Sequence, residues 1–471
     1  MVISRSSLRS FLLFYFLTFC GLVTAQQLQP APTFRLLNSG YGAAALGMGG
    51  AFTAVANDLS AIYWNPAGLA QLGGMQFWGD YRAMNDSDED FGPEVFPNLS
   101  QSMQRFAVSG NQFHTFAVSY AFNTKGGASF VPAFSWQKLG TTGPDRDLKD
   151  IASTTGLFPN GSSFLSTGKF SDSIQDDEEE FAFAFAAHVH KAIMVGGSWS
   201  FLRNGPKQSL SGTFEDTISI PGQSIVTDST VSQSYHEDHG GNYLKIGALF
   251  YPQTPLSFGV YLRFPYTIKS DIFLDKNGPF TQTNNTLDAS GNIISSTTTT
   301  GSLNISARAQ SELDVPLEYG AGVAMRPSNT VLITGSVTYS NWQDVTKIVS
   351  NSTDPTVIPN QTLPYPTLRP TAWQNSVLQW RFGTEYLFGQ FGRGLVVRGG
   401  YFLDSQPYSE ANGDRVYFHG YSAGAGLGVG NFRVDGALIS EHGDLRLTPN
   451  SAADSNFQNR RWEFSIGYIS H

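Results

Sequence analysis

Three sets of side chains have the types and spacing that chemistry requires. The first is Gly420-Tyr421-Ser422-Ala423-Gly424, which carries the letters of a Gly-x-Ser-x-Gly nucleophile elbow. An elbow exposes its serine on a sharp strand-to-helix turn. Here the glycines continue inside a strand-like stretch, so small residues on a strand is the better reading. The second set is His188 and His190, two apart and therefore on one face of an extended segment. Two imidazoles begin a metal site, but no third ligand is placed beside them, and His236 and His239 around Glu237-Asp238 are no better placed. The third set is charges embedded among apolar residues: Arg263, Glu318, Arg381, Glu385, Arg398, Asp435 and Glu463. Buried arginines and carboxylates need partners and pair in forks. They read as braces, with a ligand carboxylate on one arginine as the sharper alternative. There is no His-Glu-x-x-His and no phosphate loop. The expectation is a protein that is not an enzyme and holds no cofactor and no metal.

The elements that position these residues follow from alternation. Trp380, Phe382, Tyr386 and Phe388 share one face, with Gln379, Arg381 and Glu385 opposite. Leu395, Val397, Tyr401 and Leu403 oppose Arg398 and Asp404. Phe181, Phe183 and Phe185 alternate with alanines, and Trp462, Phe464, Ile466 and Tyr468 alternate with Glu463, Ser465 and Gly467. Period two means strands with one apolar and one polar or small face. Fourteen strands are expected: 75–84, 104–122, 128–139, 179–190, 193–217, 225–250, 255–276, 300–326, 330–348, 372–388, 393–405, 414–429, 431–447 and 458–470. Short connections alternate with long ones such as 84–103, 140–178 and 277–299. Bacterial membrane barrels have that asymmetry, with short turns on the periplasmic side. The fold class is therefore all-β, a 14-stranded antiparallel transmembrane barrel, and an even count places both termini in the periplasm.

The N-terminus reads as an export signal over residues 1–25. Arg5 and Arg9 precede the apolar run Phe11–Val23, and Val23-Thr24-Ala25 fits a cleavage site. The one cysteine, Cys20, lies within it, so the expected mature chain has no thiol. The net charge is −9, and loss of the two arginines makes it −11, which argues against a nucleic-acid partner. Aromatics are 13% and charges only 14%, an aromatic-rich and charge-poor balance.

Residues 26–74 differ from everything after them. Asn38–Ala70 is rich in Gly and Ala, including Gly47, Gly49 and Gly50, and then carries Asp58 ahead of Leu59–Trp64. Asn65-Pro66 reads as an N-cap with proline at the first helical position, leading through Ala67 and Gly68. A small plug in the lumen of a barrel formed by residues 75–471 is expected.

This stretch resembles the N-terminal hatch of the FadL-like outer-membrane transporters. The likeness rests on its small-residue run, the acidic step Ala56-Asn57-Asp58 and the core Asn65-Pro66-Ala67. Phe258–Pro265, Asp314–Pro327 and Val397–Tyr401 resemble further family segments in order. The resemblance implies passive transport of hydrophobic small molecules, long-chain fatty acids or hydrocarbons, across the outer membrane. It also implies that the hatch gates the lumen and that a kink in the third strand opens the wall sideways. Pro132, inside Ala128–Trp136, is placed for that kink, since proline breaks a ladder; a plain bulge is the alternative. The PorV-type branch implies a second reading, a structural or shuttle barrel with a secretion-system protein partner. The acidic runs Asp86–Asp90 and Asp176–Glu180 would contact lipopolysaccharide through divalent ions, or simply be solvated.

Overall fold

The computed structural model describes residues 40–91, 99–101, 104–123, 129–139, 146–157, 163–176, 178–251, 255–288, 290–343, 347–350, 375–389, 394–409, 414–445 and 455–470. The expected export signal, residues 26–39 of the expected plug, and Asp177 lie outside them.

Alternating segments of this kind can satisfy their backbone only by pairing, and in a closed ring no edge is left over. Fourteen strands form that ring. They are β1 (Met75–Phe91), β2 (Gln104–Tyr120), β3 (Ser129–Lys138), β4 (Glu179–His190), β5 (Ile193–Asn204), β6 (Gln223–Phe250) and β7 (Leu256–Arg263). They continue with β8 (Glu318–Ser328), β9 (Val331–Ser340), β10 (Val377–Phe388), β11 (Leu395–Ser409), β12 (Arg415–Val429), β13 (Phe432–Leu445) and β14 (Ser455–Ser470). Each is antiparallel to its neighbours, and Met75 of β1 pairs with Ser470 of β14, so the ring closes with its two ends at one rim.

The faces are inverted relative to a soluble protein. Phe183, Phe185, Trp380, Phe382, Trp462, Phe464 and Ile466 stand exposed, while Gln379, Arg381, Arg398, Glu463 and Ser465 are buried. An apolar exterior around a polar interior is the solution that lipid imposes.

Several strands expected as single units break where they leave the wall. The segment 193–217 divides at Gly205, with Asn204 at a positive φ of 58°. The segment 255–276 divides at Phe264-Pro265, and 300–326 at Pro316-Leu317. Proline has no N–H for a ladder, so both prolines end one pairing and permit the next. Only β6 runs through. Its half from His239 onward pairs with β5, while Gln223–Gly240 pairs with Tyr266–Leu287. Beyond the rim, Arg146–Leu157, Ser163–Asp176, Pro206–Ile220, the free half of β6, Tyr266–Leu287 and Ile293–Val315 form an outer sheet. Residues 146–157, 163–176 and much of 277–299 are therefore strands rather than loops. Their Ser/Thr-rich composition hid this, because neither face of a solvated sheet need be apolar.

Candidate functional site

Residues 40–74 fill the lumen. They contain α1 (Ala43–Gly47), α2 (Ala61–Trp64) and the 3-10 helix Pro66–Gln71. Helix α1, Ala43-Ala44-Ala45-Leu46-Gly47, is a single turn within the Gly- and Ala-rich half of the stretch. So short a helix is not stable in isolation, and burial supplies what its length lacks, since Ala43 through Gly47 are all buried. The second half follows its sequence. Asn65 caps the 3-10 helix, its Oδ1 accepting from Ala67 N at 3.2 Å, and Pro66 is the first helical residue. Asp58 does not cap α2 directly; its Oδ1 accepts from Ser60 N (2.9 Å) and Ser60 Oγ (2.5 Å), fixing the turn before it.

The plug lies backbone-to-backbone on the wall, across a band where β-strand register aligns small residues. Gly196 pairs with Gly247, Gly259 with Gly322, and Thr334 with Gly383, which pairs in turn with Gly400 and then Ser422. A Cβ at Gly247 would land on the Asn65 amide, one at Gly259 on the Thr53 carbonyl, and one at Gly400 on Gly49 N and the Met48 carbonyl carbon. Close approach is what requires glycine there. On the plug side, Gly49 and Gly50 have φ of 65° and 76°, and Gly68 leaves room for the Ala56 carbonyl. Gly47 sits against Gly424.

Wall side chains then satisfy the plug's free backbone groups, which no regular ladder serves. Ser465 Oγ accepts from Ala43 N at 2.7 Å, Thr334 Oγ1 donates to Ala51 O at 2.9 Å, and Ser257 Oγ donates to Ala54 O at 3.1 Å. Ser422 Oγ accepts from Gly49 N (2.9 Å) and donates to Gly47 O (3.1 Å). The serine of the elbow-like motif is thus in mid-strand with its hydroxyl engaged by the plug. Asn65 Nδ2 donates both to Thr53 O inside the plug and to Ala248 O on the wall, at 2.9 and 3.1 Å. One side chain ties together helix start, plug interior and barrel.

The expected lumen charges do pair. Arg263 meets Glu318 at 2.9 Å just where the wall gives way to the outer sheet. Arg381 bonds Asp404 at 2.9 Å and Gly49 O at 3.2 Å. Arg398 bridges Glu385 (2.8 Å) and Asp435 (2.6 Å), and Arg433 reaches the second Asp435 oxygen at 2.7 Å. Arg82 joins Glu463 (2.9 Å) to Gly40 O (3.1 Å). These contacts link wall strands to one another and, through Gly40 O and Gly49 O, to the segment in the lumen. Sequence reading missed Arg82, Lys245 and Arg433. Lys245 Nζ donates to Tyr63 O at 2.5 Å and lies over the rings of Tyr63 and Tyr261. Its signal, a lone cation in an apolar-alternating strand, was present but is common on any barrel wall. His239 lies between Glu178 and Glu237 at 3.1 and 2.9 Å, while His188 and His190 border a tight turn. Among the described residues no group of three His, Cys, Asp or Glu is arranged to hold a metal ion.

Arg398→Met leaves the buried Asp435 and the partly exposed Glu385 with one cation fewer. Breaking a buried ion pair from one side costs about 3–5 kcal/mol. Heat-modifiability gels are expected to show the folded band lost at a clearly lower temperature, whereas Lys269→Met, at an exposed pair with Glu312, leaves it in place.

The β2–β3 ladder skips two pairs in an otherwise constant register. β2 pairs with β3 from Thr115–Gln137 to Ser119–Ala133, and pairing resumes only at Phe122–Phe130. Pro132 lies in the interval. Pro132 falls opposite Tyr120 and has no N–H to donate across the ladder, while the neighbouring Ala121 N donates to Gly74 O at 2.9 Å and so continues the β1–β2 register on the other side of the strand. On its other side β3 pairs with β4 without interruption. The inner face here is small and apolar: Ala117, Val131, Ala133, Ala182, Ala184 and Ala186, packed in one cluster with Leu69, Met194 and Leu249.

Fold and site together define a membrane β-barrel with residues 40–74 packed against the inside of its wall. Among solved structures the chain is similar to the Pseudomonas putida toluene transporter TodX, with 12% identity, 92% of this chain and 98% of that chain covered, and a TM-score of 0.52. It is similar to the CymD monoaromatic hydrocarbon channel at 12% identity over 92% and 98%, TM-score 0.50. A Pseudomonas aeruginosa FadL homologue aligns at 13% identity over 92% and 98%, TM-score 0.47. The fold is therefore the one shared with TodX and CymD, in keeping with the resemblance that the sequence motifs carry. No protein-family model matches the chain, and no curated protein matches it.

Proposed function

We propose that this protein sits in the bacterial outer membrane, both termini periplasmic, and passes hydrophobic small molecules inward without an energy source. The observation that carries this reading is the conjunction of a lumen in which residues 40–74 pack against the wall with interrupted β2–β3 pairing at Pro132 beside them. A freely open pore would serve polar solutes; a closed one with a side gap serves cargo that gains by entering the bilayer. The named neighbours carry toluene and monoaromatic hydrocarbons, which favours hydrocarbons alongside long-chain fatty acids as cargo. Entry is over the apolar groups at the outer end, where Leu139, Leu202 and Tyr243 form one cluster and Leu313, Val315, Trp342 and Val377 another, both against Tyr266 and Ile268. The plug then shifts as the hatch, and cargo leaves between β2 and β3.

The test is uptake of labelled toluene and labelled oleate by a host lacking its own channels. Uptake of either above the empty-vector rate supports the reading. A correctly inserted barrel that moves neither overturns it, and turns attention to pull-downs for a secretion-system partner. Pro132→Val restores a backbone donor at the gap. It is expected to lower uptake several-fold while equilibrium binding of cargo to purified protein stays unchanged; unchanged uptake would place the exit elsewhere.

A further inference from the structure

Two cations on the β6–β7 wall sit between aromatic rings. Lys245 and Arg263 pair across that ladder. The Arg263 guanidinium lies 5.8 Å from the ring centroids of both Tyr243 and Tyr266, which are themselves 4.9 Å apart. Lys245 Nζ lies 4.7 Å from the ring of Tyr63 and 4.9 Å from that of Tyr261. Tyr266 also packs against both apolar clusters at the outer end. Four rings and two cations thus run from those clusters down to the plug. Among the described residues the other lumen cation over a ring is Arg381, and it has Phe402 alone, at 5.5 Å.

The two cations are satisfied differently. Arg263 has its carboxylate, Glu318. Lys245 is buried and, among the described residues, has no ion pair; its ammonium donates to Tyr63 O and otherwise faces the two rings. A buried charge must be compensated, and the negative face of an aromatic ring does this without a carboxylate. The nearby acids are already engaged. Glu180 accepts from Tyr243 Oη (2.8 Å) and Gln137 Nε2 (2.9 Å), and Glu318 accepts from Tyr261 Oη (3.1 Å) besides Arg263. The two cations and two carboxylates balance, so a further buried anion would upset the charge, whereas a neutral π face would not. Of the two rings on Lys245, Tyr261 belongs to the wall and its hydroxyl is tied to Glu318 and Thr338. Tyr63 belongs to the plug and is only partly buried.

We propose that Lys245 is a specificity-determining residue for neutral aromatic cargo, whose ring takes the place of Tyr63 against the Lys245 ammonium. The inference rests on the proposed passage of apolar molecules and narrows its substrate class. An aliphatic molecule of the same size gains only burial at this point. An aromatic one also restores the π face that Lys245 loses when Tyr63 moves, so the exchange leaves the cation compensated throughout. The contact that is exchanged is one between helix α2 and β6, which couples arrival of the cargo to the seating of the plug.

Equilibrium binding of toluene and of pentafluorotoluene to the full chain in lipid nanodiscs tests it, each corrected for partition into empty discs. Ring fluorination reverses the charge of the π face while keeping the molecule apolar and similar in shape. The wild-type barrel is expected to bind toluene at least about five-fold more tightly. Lys245→Gln keeps a donor for Tyr63 O but removes the charge, and is expected to bring the ratio to about one; Lys245→Arg is expected to restore it. Equal binding of the two compounds by wild type overturns the inference without recourse to any variant. So does a folded Lys245→Gln barrel that keeps the preference. Binding of neither compound overturns aromatic cargo altogether, and the oleate arm of the uptake assay then decides the transport reading by itself.

Discussion

Alanine at Gly400 is expected to unseat the plug and make the barrel leak. The added Cβ falls on Gly49 N and the Met48 carbonyl carbon, both backbone atoms, so no rotamer change relieves it. On the wall side it also crowds Ser422 Oγ, which holds Gly47 and Gly49. Overpacking of this kind costs about 1–3 kcal/mol, and each 1.4 kcal/mol shifts the seated-to-unseated ratio about tenfold. The wall itself has no reason to fail, since Gly400 pairs with Gly383 and Ser422 through backbone alone. Planar-bilayer recordings should show ion current at least about tenfold above wild type. Gly240→Ala is the control, because nothing lies within 4 Å of its Cβ position. Wild-type current from a properly folded Gly400→Ala barrel would mean that the plug is not held by the glycine band.

The second large effect is at Asn65. Its amide makes three hydrogen bonds, to Thr53 O, Ala248 O and from Ala67 N, at complete burial. Asn65→Ala removes the cap and leaves those backbone groups to find other partners, a cost of about 1–3 kcal/mol for each group left unsatisfied. Asn65→Asp is the informative companion. It keeps the Ala67 N acceptor but offers no donor, and it adds a charge against two carbonyl oxygens. Cargo uptake is expected to fall at least tenfold in both, with Asp no better than Ala. If Asp restores wild-type uptake, the cap alone matters and the tie to the wall does not. Retained uptake in both would remove Asn65 from the gating role proposed for it.

Much of this architecture was legible in the residues. Period-two alternation such as Phe181–Phe185 with its alanines, or Trp462–Tyr468 with Glu463 and Ser465, specifies a strand and its two faces. A ring of such strands follows because lipid leaves no other home for the exposed aromatics. Asn65-Pro66 announced its helix start for an equally local reason, an amide that accepts beside a ring that fixes φ. The pairing of Arg263 with Glu318 and of Arg398 with Asp435 was foreseeable in kind, since buried charges must be matched.

What the residues alone left open depends on register. Gly259 and Gly322 are 63 positions apart (322 − 259), and only the β7–β8 ladder sets them side by side beneath Thr53. The same holds for Ser422, whose local sequence suggested a nucleophile and whose neighbours across the lumen make it a plug anchor. Pro265 and Pro316 mark breaks, but not that the chain beyond them enters a second sheet. His114 faces inward because a single bulge reverses its parity, which no periodicity announces. Local chemistry determined which segments are wall strands and which of their faces meets lipid. Tertiary structure decided which wall atoms touch the plug, because contacts between residues hundreds of positions apart depend on ladder offsets that alternation leaves free by any even number.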